Sequence, residues 1–518
     1  MAGEPLCDCS CPKTATIAEV KADLSSVTGL SVKQLRLVLS EVGGENAELE
    51  DGSQLGQHLH SVGEAGGTTS LLSLTLVRAE REHLALSGSI DQTLRLWDLS
   101  EGKSIHVLEG CGGMVSGLEV DWETRRALCG SMDHCVRLWD LKSGRCLHAM
   151  HGHADTIRGV LVDWPASLAL TFCAAGLIIL WDLQVGLPRH MLLAHSGTVC
   201  DVEVDWDTLR ALSIGADCAL RLWDLHTGHQ AFSVDGLEGS DIEETAEAGL
   251  EVSWESNRVI SCWAHTLRMQ DLATGEVLFE LRGHVDDVKG LAVDWEGLRC
   301  VSWGLDSQLR LWDLKTGTSI HKLLGHTEAV LGVSVEWADQ PRALSCSSDC
   351  TLRLWDLGTG SLLLGMSGHS DAVCGLEVDW ENKRALSWSD DYNLRLWSLV
   401  DGSCVHKLVG HLGPVWSALV DWDSSRALSY SFAHKALLLW NLSLGGPAQA
   451  FPMQNGGTWN GGAEVDWDRE RAISWSLDDA KLWVIDFSKN ADVAVRELSG
   501  HSGPVSCVSF ESSETSHG

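Results

Sequence analysis

Tryptophan recurs along this chain at a nearly fixed period. One series ends short apolar runs of the LRLWD type, at 97, 139, 181, 223, 312, 355, 397, 440 and 483. Its members are 42 or 43 residues apart, except for a gap of 89 between 223 and 312. That gap holds a degenerate copy, LRMQDL at 267–272, with Gln270 in the tryptophan position. A second series follows V-D-W and its variants, at 122, 164, 206, 254, 295, 337, 380, 422 and 467. The two series account for 18 of the 24 tryptophans. A period of this length marks an array of one small unit, each copy burying its apolar surface against the next.

Each period contains four short β-runs. In the sixth they read VKGLAVDW, RCVSWG, QLRLWDL and SIHKLLG, separated by the polar turns EGL, LDS, KTG and HTEA. Four such runs predict one small meander sheet. A sheet of that size cannot bury both faces alone, and radial stacking as a β-propeller buries them while leaving only short edges.

The repeated pattern GH…S-x-x-x-D…W-D over about 84–510 closely resembles the WD40 family. The resemblance implies an all-β propeller in which His, Ser or Thr, Asp and Trp form a buried tetrad in each blade. Those groups suit one another, since the carboxylate accepts from the imidazole, and hydroxyl and indole N–H complete the chain. Complete sets are His195, Ser213, Asp217, Trp223; His284, Ser302, Asp306, Trp312; His326, Ser345, Asp349, Trp355; and His369, Ser387, Asp391, Trp397. The second repeat has Cys111 and Cys129 in place of His and Ser. The third and ninth have Ala175 and Ala433 in place of Asp, the tenth has no His, and the fifth lacks nearly all of the set. Those blades are expected to be softer.

The first repeat, ALSGSIDQTLRLWDL at 85–99, has no histidine before it: Thr69 stands 18 residues ahead of Ser87. The chain ends with Gly500-His501 and one further strand-like run, PVSCVSF. The two halves are complementary. Residues 504–510 are expected to pair with 84–108, and His501 to complete the tetrad of Ser87, Asp91 and Trp97. A ring closed in this way has ten blades, above the usual range of about four to eight. One ten-bladed ring is the expectation; a smaller ring with surplus repeats, an open spiral and two partial rings are the alternatives.

Residues 14–80 do not follow the repeat. Ile17, Val20, Leu24 and Val27 have helical spacing, Thr16 and Glu19 form a capping box, and Gly29 stands where a helix stops. The segments TIAEVKADLSSVTGL, LRLVLS, LEDGSQL and SLLSLTLVR resemble, in order, parts of ubiquitin. The resemblance implies a small α+β ubiquitin-like domain, here partial because the opening hairpin has no counterpart. Ubiquitin's apolar patch maps onto Val38, Ser73 and Thr75, which weakens a receptor-binding role. No Gly-Gly tail follows Arg78, so conjugation through this segment is not expected. Residues 1–13 and 511–518 are expected to be disordered tails.

Charge and cysteine content narrow the partners. A net charge of −34 disfavours nucleic acid and anionic membranes, which repel it. No apolar stretch is long enough to span a bilayer, and MAGEPLCDCSCPK has no apolar signal region. A cytoplasmic location is expected. Most of the 17 cysteines fall at strand positions, where a free thiol acts as a small hydrophobe. The alternate spacing of Cys7, Cys9 and Cys11 is poor zinc geometry, and no metal or cofactor is expected.

Recurring Ser, His and Asp invite a hydrolase reading. Several copies with a tryptophan at fixed offset, and no G-x-S-x-G elbow, point instead to architecture, and no enzyme activity is expected. The recurring Asp-Trp…Arg, as in Asp379, Trp380 and Arg384, reads as a structural ion pair with guanidinium stacking. In WD40 proteins the usual contact surface is the top rim, three and five residues after the histidine and one before the tetrad Asp. Carried over, these positions are Pro504 and Ile90 in repeat one, Met114 and Met132 in repeat two, and Pro414, Trp416 and Phe432 in repeat nine. In repeat ten they are Trp459 and Leu477. Such side chains suit a recognition surface for a protein or peptide partner. The expected function is therefore a non-enzymatic interaction scaffold. The alternative is a substrate receptor in a ubiquitin-ligase or proteasome pathway, against which stands the lack of the adaptor-type Arg three residues after the Trp of WD. Those positions include Ser100, Lys142, Gln184, His226, Lys315, Gly358 and Val400.

Overall fold

The computed structural model describes residues 35–40, 47–48, 73–78, 83–235, 250–338, 340–431, 436–452, 462–476, 480–488 and 495–511. The chain divides into two units, Met1–His83 and Leu84–Gly518. The described part of the first is a sheet in which β1 (Leu35–Ser40) lies between β2 (Ala47–Glu48) and β3 (Ser73–Arg78). β1 and β3 run antiparallel, with Val38 opposite Thr75 and Ser40 opposite Ser73. LRLVLS and the LLSLTLV run thus form paired strands. The helix expected from Thr16 to Gly29 lies outside the described residues.

The second unit is built from ten four-stranded antiparallel sheets. Blade 1 contains β4 (Leu84–Ser89), β5 (Thr93–Asp98) and β6 (Lys103–Glu109). Blade 2 is β7 (Val115–Asp121), β8 (Arg126–Ser131), β9 (Cys135–Asp140) and β10 (Arg145–His151). Blades 3 to 6 follow as β11–β14 (157–193), β15–β18 (199–235), β19–β22 (250–282) and β23–β26 (288–323). Blades 7 to 10 are β27–β30 (330–367), β31–β34 (373–409), β35–β38 (417–452) and β39–β42 (463–499). The last strand, β43 (Val505–Phe510), returns to pair with β4, placing Phe510 opposite Ala85 and Val505 opposite Ser89. The first and last repeats therefore share one blade, as their complementary halves predict. Among the described residues there is no helix.

The core follows from strand alternation. Second strands read R-A-L-S, and their alternate residues serve different seams. Ala385 joins the cluster shared by blades 7 and 8, while its neighbour Leu386 joins the cluster shared by blades 8 and 9. In seven blades the third-strand tryptophan stands opposite that alanine, as Ala385 does to Trp397 and Ala211 to Trp223. The apolar core is thus a set of seams between blades. The seam between blades 10 and 1, with Ile473, Leu482, Ala85, Trp97 and Val505, closes the circle. Spiral, split and undersized rings are excluded by it.

One member of the tryptophan series is displaced from the expected place. In blade 10 the residue opposite Ala472 is Ile485, and Trp483 instead stands opposite Ser474. Ile485 and Ala472 then fill the seam with blade 9 that Trp440 and Ala427 fill one blade earlier. The end of the blade chooses the register, with Arg471 opposite Asp486 as Arg384 is opposite Ser398.

The Asp-Trp…Arg pattern links neighbouring blades. Arg384 bonds Asp379 in its own blade at 2.7 Å, and its guanidinium lies 5.1 Å from the ring of Trp422 in the next. Arg126 with Trp164, Arg210 with Trp254, Arg299 with Trp337 and Arg426 with Trp467 repeat this at 5.2–5.4 Å. Five tryptophans of the second series thus receive the preceding blade's arginine, whereas Trp122 receives Arg125 of its own blade at 6.0 Å.

Candidate interaction surface

The tetrads decide how the loops at one end of the blades are held. In the five blades with all four groups, the histidine Nε2 lies 2.8–2.9 Å from the serine Oγ. Its Nδ1 lies 2.7–2.9 Å from the aspartate. The indole N–H donates to the same serine at 2.8–3.0 Å. With the indole filling one acceptor site, the hydroxyl donates to Nε2 and Nδ1–H donates to the carboxylate. A backbone N–H just after the histidine also reaches that carboxylate, as Ser502 N does Asp91 at 2.8 Å. Burial pushes the Asp91 carboxyl upward, but Thr93, the Ser502 N–H and His501 outweigh it and hold it at about 2. Burial holds His501 itself below its ordinary value against the pull of Asp91. The tetrad serines are fully buried and bonded on both sides, so none presents a nucleophile to a substrate.

The departing blades lack parts of this network. In blade 3, His153 bonds Thr171 at 2.7 Å, but Ala175 leaves its Nδ1 without an acceptor. Burial, with the charge of His134, lowers His153 to about 4. In blade 5, Gln270 fills the tryptophan position with both amide atoms unbonded. In blade 10, the Ser474 hydroxyl has neither histidine nor indole and is unbonded. In blade 2, the Cys111 and Cys129 sulfurs are 4.0 Å apart where other blades have imidazole and hydroxyl.

The predicted rim positions meet in pairs. Ile90 N donates to Pro504 O at 2.9 Å, and Met132 N to Met114 O at 2.8 Å. Ile90, Met132, Pro414 and Trp416 are exposed, while Met114 and Pro504 are half-buried. Phe432, Trp459 and Leu477 lie outside the described residues. Trp416 is 60% exposed, on the stretch that enters blade 9 from blade 8. Ser389 O of blade 8 accepts from both Val415 N and Tyr392 N, so this stretch lies over the Tyr392 turn. Leu412, 76% exposed, and Tyr392 extend the apolar surface there, together with Val409 at the end of β34 (Cys404–Val409). The three were not among the predicted residues. The residue after the histidine is Ser196, Thr327, Ser370 or Ser502 in four other blades but Ala154 and Val285 in blades 3 and 6, so the sequence alone did not single out Leu412.

A five-membered set of glutamates occupies one position of the first strands: Glu119, Glu203, Glu251, Glu377 and Glu464. Burial pushes all five upward, Glu464 to about 7.

The family model for the WD domain, G-beta repeat, matches residues 102–140 and 317–356. Those spans fall in blades 1–2 and 6–7, and their strand register and tetrad positions recur around the ring. The chain is a WD40-repeat β-propeller, with ten blades. Among solved structures it is similar to the computationally designed Ika8 protein, at 21% identity and a TM-score of 0.43, covering 65% of this chain and 99% of that one. No curated protein matches it.

Proposed function

We propose that the propeller is a non-enzymatic scaffold that binds a peptide or protein segment on the face formed by its interblade loops, centred on Trp416. The observation that carries this reading is an exposed Trp416 beside exposed Leu412, Pro414 and Tyr392, on a loop anchored to the neighbouring blade by Val415. A large aromatic held in water on a fixed backbone offers apolar contact area at little ordering cost. The Met132 and Ile90 sites on blades 2 and 1 supply further apolar contacts on the same end of the ring. The ubiquitin-pathway reading rests on 14–80, most of which lies outside the described residues.

The test is affinity purification with mass spectrometry on the full chain, comparing wild type with a Trp416→Ala/Leu412→Ser double variant of equal melting temperature. Proteins lost only from the variant support the reading. A bound set that is unchanged removes this face from consideration.

A further inference from the structure

Blade 2 holds two sulfurs where seven other blades hold a hydrogen-bonded imidazole and hydroxyl. Cys111 lies on the connection from blade 1, and Cys129 lies on β8, 18 positions later. Both are buried, and their sulfurs are 4.0 Å apart. The connection is held in place independently of them. Gly112 N donates to Asp133 Oδ2 at 2.6 Å, and Arg137 grips both oxygens of Asp133 at 3.1 and 2.6 Å. Gly112 and Gly113 lie so close to the Asp133 turn that a Cβ on either would come within 2.8–2.9 Å of it. The backbone thus brings the thiols together, and Trp139 Nε1–H, 3.3 Å from Cys129, fixes the second sulfur from below.

We propose that Cys111 and Cys129 are a peroxide-oxidisable dithiol that closes to an intramolecular disulfide, tying the blade 1–blade 2 connection to β8. The Cys111 thiolate attacks one oxygen of hydrogen peroxide and breaks the O–O bond; the departing hydroxide takes a proton and leaves as water. Cys129 then attacks the Cys111 sulfenic acid, loses its thiol proton and expels the second oxygen as water. Two thiols are oxidised, one peroxide is reduced, and two waters form. The roles follow from the surroundings. Cys111 is held below its usual value by the hydrogen bond from Cys129 and by the charge of Arg137, while that same bond and burial hold Cys129 well above it. Burial selects the oxidant, because peroxide is nearly as small as water and bulky disulfides cannot reach either sulfur. The bond would restore covalently the tie that the histidine and serine make elsewhere.

The experiment uses the reduced full chain, treated with hydrogen peroxide and digested with trypsin without reductant. The expected product links peptides 104–125 and 127–137 through Cys129, lighter by two hydrogens than the separate thiols. The thermal midpoint is expected to rise by roughly 2–4 °C, to fall back on adding dithiothreitol, and not to move in Cys111→Ser. The wild-type map stands even if that variant folds poorly. The proposal is overturned if both thiols stay reduced at peroxide levels that oxidise exposed Cys146, if Cys111 links to Cys135, or if Cys111 ends as a sulfinic acid beside a free Cys129.

Discussion

His501 Nε2 lies 2.8 Å from Ser87 Oγ, although 414 positions separate them in sequence. Ring closure depends on this contact together with the β43–β4 ladder. His501→Ala leaves Ser87 and Asp91 without their buried partner, at a cost of about 1–3 kcal/mol. Urea unfolding of His501→Ala, Ser87→Ala and the double variant is expected to show a double-variant loss smaller than the sum of the singles, because both remove one bond.

Acid is expected to weaken the same clasp. Burial keeps His501 below 6.5, so the folded chain favours the neutral ring. That contribution is complete above the unfolded value and is lost as pH falls through the folded one. Asp91, lowered from 3.8 to about 2, acts with the same sign between those two values. Unfolding midpoints measured from pH 7 downward are expected to fall less steeply in His501→Ala than in wild type until Asp91 titrates.

Blade 3 is a tetrad with one place empty. His153 and Thr171 are in position, the His153 Nδ1 has no acceptor, and Ala175 is exposed where the complete tetrads carry Asp. Ala175→Asp is expected to add about 1–2 kcal/mol by accepting from that nitrogen. It also raises the His153 pKa from about 4, which titration of the imidazole by NMR would show. An unchanged His153 titration would mean that the new carboxylate turns to solvent.

Most of the ring was legible because its signals are local: a repeated tryptophan, a Gly-His pair and an R-A-L-S strand. The split blade was legible too, since each half lacked what the other carried. Trp483 was misread because spacing alone placed it in the series. The usable signal was its successor. The tryptophans of the series elsewhere precede Asp, Ser or Asn, but Val484 follows Trp483, and the strand ends at Asp486. The interblade role of the second tryptophan series could not be read at all, because a guanidinium and an indole about 40 residues apart meet only after the sheets stack. Leu412 and Tyr392 lie outside the family's contact positions, so carrying those positions over could not reach them.

Glu464 is expected to reverse the usual acid trend locally. Burial raises its carboxyl from 4.5 to about 7, so the folded chain favours the protonated form. The stability it contributes is fully present below 4.5 and is lost as pH rises through 7. Glu464→Gln keeps the shape and removes the charge. It is expected to raise the melting temperature at pH 8 and to leave it almost unchanged at pH 5; equal effects at both would assign the change to packing.

Gln270 gives the strongest test of what the tryptophan position requires. The residue is fully buried opposite Val259, and both its amide atoms lack a partner, whereas Trp223 one blade earlier donates to Ser213 at 3.0 Å. Burying an unbonded amide costs about 1–3 kcal/mol. Gln270→Met keeps nearly the same length and volume without the amide. It is expected to stabilise the protein by about 1–2 kcal/mol in urea unfolding and to slow hydrogen exchange along β20 (Arg258–Trp263) and β21 (Thr266–Asp271). Gln270→Trp restores the indole donor but adds a ring to the seam between blades 4 and 5, which Val259 and Leu272 already line. It is expected to gain less than the methionine. If Gln270→Met destabilises the protein, the amide is bonded through water and blade 5 depends on it.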